Sequence, residues 1–166
     1  SISGAVPGVE VANYFTNRPY GSDPSEVKLI QMFAVDYDYL ALYSPEMLCG
    51  RGFSEAYGNE RNKVVLNEEA VRLLGYPSPE EALGKQLEME VLEDPLEVVG
   101  VVKNYHQQSL AEPYKPILFF LKERVPFIAT PYISVKMDGP VNSDRLAEVE
   151  QMYRTYFHGA TQREVT

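Results

Sequence analysis

Residues 62–116 read NKVVLNEEAVRLLGYPSPEEALGKQLEMEVLEDPLEVVGVVKNYHQQSLAEPYKP, and this stretch decides the fold. Val64 to Leu66 are apolar without alternation, the pattern of a short strand buried on both faces. Asn67 follows as a good N-cap, and Glu68 and Glu69 sit in the first turn, where they favour the positive end of the helix dipole. Ala70, Val71 and Leu74 make one apolar helical face, and Gly75 stops the helix. In SPEEALG, Ser78 caps a second helix, Pro79 fits its first position and Glu81 completes a capping box. Gly84 ends that helix after little more than a turn. Leu87, Met89 and Val91 then alternate with Gln86, Glu88 and Glu90, a strand with one wet face. Glu93-Asp94-Pro95 is a turn, and residues 96–102 are apolar on both faces, so the sequence predicts a hairpin with a central second strand. Gly100 within it points to a bulge or a close neighbour. HQQSLAEPYKP reads as a polar loop.

Outward from this stretch the chain keeps mixing strands and helices. On the N-terminal side, GVEVANYF carries Val9, Val11 and Tyr14 at strand spacing. Residues 17–26, NRPYGSDPSE, read as a loop. VKLIQMFAVD is apolar on both faces and reads as a central strand. DYDYLALY follows as a short helix capped by Asp36 or Asp38 and ended by Ser44-Pro45. CGRGFSE is a turn in which Gly50 and Gly52 supply positive φ or close backbone approach. On the C-terminal side, PILFFL is a buried strand and YISVKM a last strand. Asn142 or Ser143 caps a final helix with Leu146, Val149, Tyr153 and Tyr156 or Phe157 on one face. Mixed order with hairpins indicates an α+β fold rather than a doubly wound parallel sheet.

Composition narrows the function classes. The chain has 166 residues, 45% hydrophobic and 23% charged, enough for a real core in one domain or two small subdomains. A net charge of -9 repels phosphate backbones and anionic lipid surfaces, so no nucleic-acid partner is expected. Cys49 is the single cysteine, so no internal disulfide forms, and a small apolar core role suits it. No run of 18 apolar residues is present to span a bilayer. The opening SISGAVPG has no starting Met and no signal-peptide pattern, and reads as a cut inside a longer protein.

No motif carries catalysis. There is no GxSxG turn and no GxxxxGK[ST] loop. Cys49 with His106 or His158 shows no recognisable nucleophile pattern. Asp36 and Asp38 suit a hard cation in principle, but capping and solvent exposure explain such a pair. The carboxylate pairs Glu68/Glu69 and Glu80/Glu81 lie at helix starts, Glu88/Glu90 on a wet strand face and Glu93/Asp94 in a turn. No catalytic, cofactor or metal residue is therefore assigned. Tyr37, Tyr39, Tyr43, Tyr153, Tyr156 and Phe157 suit either an apolar groove or the filling of a small core, and the second is the simpler reading. His106, Gln107, Gln108 and Ser109 suit either a partner contact or hydrogen bonds to loose backbone at a chain reversal, and again the second is simpler.

The ordered set VDYDYLALYSPEMLCGRGFS, VVLNEEAVRLLG, ALGK at 82–85, VVGVVKNYHQQSL and Pro116 resembles the extracytoplasmic core domain of MacB/FtsX-type ABC transporter permeases, in the form common in Bacteroidetes-like bacteria. The resemblance runs from about Val9 to Phe157; the family often has Asp in place of Asn104 and Phe in place of Tyr105. It implies one extracytoplasmic domain over 1–166, with a porter-like α/β part (1–53 plus 116–166) and a smaller inserted α+β part (54–115). It also implies a parent permease anchored in the bacterial inner membrane, a cytoplasmic ABC ATPase, a second permease half and a periplasmic partner protein. The domain would be mechanical, with no catalytic residue and no cofactor of its own. The competing reading is a free-standing periplasmic binding module with an aromatic groove. An enzyme around Asp36, Asp38 or Cys49 with His106 is third.

Overall fold

The structure is a computed structural model and describes residues 1–9, 13–107, 112–125, 128–137, 139–140 and 142–156. It forms two compact units, Ser1–Ser134 and Val135–Thr166. The first holds a mixed sheet of nine described strands: β1 Ile2–Ser3, β2 Tyr14–Pro19, β3 Lys28–Val35, β4 Met47–Gly50, β5 Lys63–Asn67, β6 Gln86–Met89, β7 Leu96–Val102, β8 Ile117–Leu121 and β9 Tyr132–Ile133. Their order is β2-β6-β7-β5-β8-β3-β1-β9, with β4 also beside β7. β3–β8 and β5–β7 are parallel and every other described pairing is antiparallel.

Strands β3, β5, β7 and β8 are apolar on both sides because both faces are covered. One face packs Ile30, Met32, Val64, Leu66, Leu118 and Phe120 against Ala70, Val71 and Leu74 of α2 (Glu68–Leu73) and its C-cap. The other packs Phe33, Val35, Val65, Phe119 and Leu121 against Tyr39 and Leu40 of α1 (Tyr39–Tyr43). Phe33 and Phe119 meet edge to face with centroids 5.5 Å apart, the geometry their ring quadrupoles favour.

The helix boundaries follow the capping chemistry. Asn67 accepts from the Ala70 N–H at 2.9 Å, and Gly75 has φ +82° just past the end of α2. Ser78 caps α3 (Pro79–Ala82) by accepting from the Glu81 N–H at 3.3 Å. β6 and β7 form the hairpin expected, with Leu87 and Met89 buried. In the second unit, α4 (Ser143–Tyr156) is capped by Asn142, which accepts from the Arg145 N–H at 3.0 Å.

Several expectations need correction. β2 begins at Tyr14 and runs through Asn17 to Pro19, residues read as a loop from their turn propensity. Pairing with β3 and β6 overrides that propensity. Cys49 and Gly50 belong to a strand, β4, rather than to a turn. The last strand is only Tyr132–Ile133. Asp38 occupies the N-cap position of α1 without a side-chain bond. Asp36 instead accepts from the Ser1 hydroxyl at 2.7 Å and from the Ile2 N–H, tying β1 to the end of β3.

Candidate functional site

Two non-local clusters organise the polar interior of the first unit. The first is built on the N-terminus of α2. Asn67 is fully buried. Its Oδ1 accepts from the Ala70 and Ile117 N–H groups at 2.9 and 2.8 Å, and its Nδ2 donates to the Lys115 carbonyl at 2.8 Å. Asn104 adds a reciprocal pair: its Oδ1 accepts from the Glu69 N–H at 3.0 Å, while its own N–H donates to Glu68 at 2.7 Å. Both ends of the polar connection from β7 to β8 are therefore held on one helix terminus, whose N–H groups have no partner within the helix. Among the described residues only the side-chain acceptor of Asn104 is used, so Asp at this position would keep the bond to Glu69.

Gln107 extends this anchoring to the start of the chain. Its Nε2 donates to the carbonyls of Val6 at 2.7 Å and Val9 at 3.3 Å, and its main-chain carbonyl accepts from the Gly8 N–H at 2.7 Å. This is the backbone-satisfying role that its polarity at a chain reversal suggested. Gln108 and Ser109 lie outside the described residues. His106 stacks on Tyr114 with centroids 4.5 Å apart, beside a crevice of only about 10 Å³.

The second cluster was not legible as a motif. Glu60 is 1% exposed and its carboxylate meets the Arg51 guanidinium at 2.5 Å and the Ser54 N–H at 2.7 Å. Arg51 also lies over the Tyr57 ring, 3.8 Å from its centroid. A buried carboxylate needs such partners because desolvation without them is very costly. We expect E60A to lower the urea midpoint at unchanged m, by about 2 kcal/mol in stability, since it strands the half-buried guanidinium and the Ser54 N–H. A midpoint equal to the parent would show the pair to be dispensable.

These clusters hold the fold; neither is arranged for catalysis. Cys49 packs half-buried against the first core, and burial, with the Glu80 charge adding, raises its thiol pKa, the opposite of an activated nucleophile. Among the described residues no group of three or more His, Cys, Asp or Glu side chains is placed to hold a metal. Of the aromatic residues, Tyr39 is buried and packs its ring on Tyr43 at 4.8 Å, and the Tyr43 hydroxyl is 2.7 Å from the Ser134 hydroxyl. Burial raises the pKa of Tyr39 and of Tyr105. These tyrosines fill a core, as the simpler reading had it. Tyr153 lies in the second unit, half-buried, and Phe157 lies outside the described residues. Gly50, Arg51, Leu83, Gly84, Glu97 and Val99 line a shallow depression.

Comparison with known proteins places this architecture. The family described as the MacB-like periplasmic core domain matches residues 1–150. The ABC transporter permease YvrN of Bacillus subtilis (strain 168) is 34% identical over 107 residues, which cover 63% of this chain and 25% of the permease. The chain thus spans about a quarter of that relative's length. Two solved structures share the fold. The extracellular domain of the noncanonic ABC-type transporter YknZ from Gram-positive bacteria superposes with a TM-score of 0.63 at 14% identity, over 90% of this chain and 73% of that one. The periplasmic region of MacB from Actinobacillus actinomycetemcomitans gives 0.57 at 18% identity, over 87% and 63%.

Proposed function

The chain belongs to the MacB-like periplasmic core domain family, and from that premise we propose that it is the extracytoplasmic, force-transmitting part of an export permease. In this reading a cytoplasmic ABC ATPase drives the parent permease. The domain, held at the outer face of the inner membrane and working with a second permease half, passes the conformational change to a substrate or a periplasmic partner protein.

One observation carries the mechanical reading. β1 and β9 pair side by side, Ile2 with Ile133 and Ser3 with Tyr132, and β1 pairs with β3. The first and last strands of the unit Ser1–Ser134 thus join the sheet at one edge. A displacement applied to both would pass into β3 and from there into β8, whose five Cα partners in β3 are in unbroken parallel register. The buried faces of these strands make them stiff, because close-packed interiors transmit strain. The aromatic-groove reading gains no support from Tyr39 and Tyr43, which are occupied in packing.

We also propose the division into a porter-like part (1–53 with 116–166) and an inserted part (54–115) as a division of motion. The strands of the two parts share the sheet through β5–β8, β4–β7 and β2–β6.

The test uses the intact gene product, tagged and fractionated. We expect it in the membrane fraction, with this segment cut by protease added to spheroplasts. A parent found only in the soluble fraction, or a segment protected from outside protease, would overturn the proposal. A second expectation concerns the isolated chain, which should sediment as a monomer or weak self-associate at low micromolar concentration. A tight dimer there would argue against a domain whose neighbours are tethered in the membrane.

A further inference from the structure

β2 pairs with β3 over its first part and with β6 over its last. Tyr14 to Asn17 pair with Gln31 to Lys28 of β3, and Asn17 to Pro19 pair with Met89 to Leu87 of β6. Asn17 alone belongs to both sets. It is fully buried, yet its Oδ1 has no hydrogen-bond partner among the described residues. Its Nδ2 donates to the Phe15 carbonyl at 3.0 Å, within its own strand, and lies 3.9 Å from the Met32 sulfur. A buried acceptor without a donor makes the closed form of this contact less favourable than its packing alone would make it.

The rest of the β2–β6 contact is equally spare. Pro19 offers no N–H to the ladder. Across the contact, outside the strands' own ladder, stand the Arg18–Glu88 ion pair, the Thr16 hydroxyl on Glu90 at 3.2 Å, the Tyr20 N–H on the Gln86 carbonyl at 2.8 Å and the Gly21 N–H on Glu88 at 3.4 Å. The charged partners are partly solvated, where ion pairs contribute little. On its other side β6 has Gln86–Glu97 and Leu87–Leu96 as Cα partners in β7, and the backbone bonds of Gly84 and Lys85 to Val98 extend that pairing before β6 begins. Besides the β4–β7 pairing, the β5–β8 junction also joins the same two parts of the chain, and it is different in kind. Val64, Val65 and Leu66 of β5 pair with Phe120, Phe119 and Leu118 of β8, all six buried.

We propose that the β2–β6 contact is a seam that opens while the β5–β8 junction stays closed as the pivot. Opening frees β6 and uncovers Leu87 and Met89, which are buried when it is closed. The proposal deepens the division of motion proposed above and rests on it for its meaning, but its occurrence is measurable without any transport assay.

The experiment is native-state hydrogen exchange, read by mass spectrometry on the 166-residue chain. Peptides covering 14–20 and 86–92 are expected to exchange at least about tenfold faster than those covering 63–67 and 117–121. N17L, which removes the orphan acceptor, should slow exchange in both seam segments together. E88Q should speed both by roughly two- to fivefold and leave the β5 and β8 peptides unchanged. Where N17L does not fold, the E88Q result decides. Seam peptides exchanging only at the rate of β5 and β8, or an E88Q chain unchanged in the seam, would overturn the proposal. Such a result beside outside cleavage of the membrane-bound parent would remove the seam and leave the proposed function standing. A fast seam in a parent that proves soluble would do the reverse.

Discussion

Replacing Gly100 by Ala is expected to destabilise the domain by about 3 kcal/mol or more, a large share of an ordinary domain's stability. The backbone conformation of Gly100 is not the reason, since its φ is not positive. The reason is space. A Cβ there would lie 2.2 Å from the Arg51 carbonyl oxygen and 3.0 Å from the Arg51 N and C, all backbone atoms that cannot rotate away. Gly50, the Cα partner of Gly100, faces the same crowding, 2.3 Å from the Val99 carbonyl oxygen, and adds a φ of +71°. The two glycines let β4 lie against β7 where β7 bulges: the β5 register steps from Val98 to Gly100, and the Val99 carbonyl that it skips accepts from the Arg51 N–H at 2.9 Å. We therefore expect G50A and G100A to be non-additive, because either one displaces β4 and removes the contact that the other would violate. Urea unfolding of the parent, both single variants and the double variant measures this directly. A G100A midpoint equivalent to a loss under about 1 kcal/mol would show that β4 lifts away freely and does not belong to the structural core.

The same pair shows what a sequence read in one dimension conveys. Gly100 stood out because it interrupts an apolar strand, and a close neighbour was the right inference. That the neighbour would be Arg51, beside a second glycine, is a long-range pairing that no local pattern encodes. β4 was hidden for a related reason. MLCG lacks alternation, and its flanking glycines carry the chemistry of a turn, so their role in a close strand crossing was invisible. β2 was displaced because Asn17, Arg18 and Pro19 favour turns, and only pairing with two neighbours holds them extended. Signals that act within a few residues were fully legible: the caps Asn67 and Ser78, the stops at Gly75 and Gly84, the two-faced apolar runs of β3, β5 and β8, and the β6–β7 hairpin. The Arg51–Glu60–Tyr57 cluster was not, since its pair lies nine positions apart in the chain and nothing in GNERN distinguishes a buried glutamate from a solvated one. Family resemblance drew on the order of many weak local signals, which is why it could succeed where pairing could not be read.

Replacing Asn67 by Ala is expected to cost about 3–4 kcal/mol, the sum of two effects that meet on one side chain. Loss of the cap on α2 accounts for about 1 kcal/mol. The remainder comes from the β8 side, where the buried Ile117 N–H loses its acceptor and the Lys115 carbonyl loses its donor. The effect should be felt at both ends of that connection, because the same residue starts a helix and holds the entry to a central strand. N67D separates the contributions. A carboxylate keeps an acceptor for the Ala70 and Ile117 N–H groups and stays compatible with the helix dipole, but offers no donor to the Lys115 carbonyl. N67D should therefore fall between the parent and N67A in urea midpoint. Hydrogen exchange at Ile117 should rise strongly in N67A and little in N67D. If N67D proves as unstable as N67A, the bond to Lys115 carries most of the weight. If N67A stays within about 1 kcal/mol of the parent, Asn104 and Glu68 hold the helix terminus without it, and the node is Asn104 rather than Asn67.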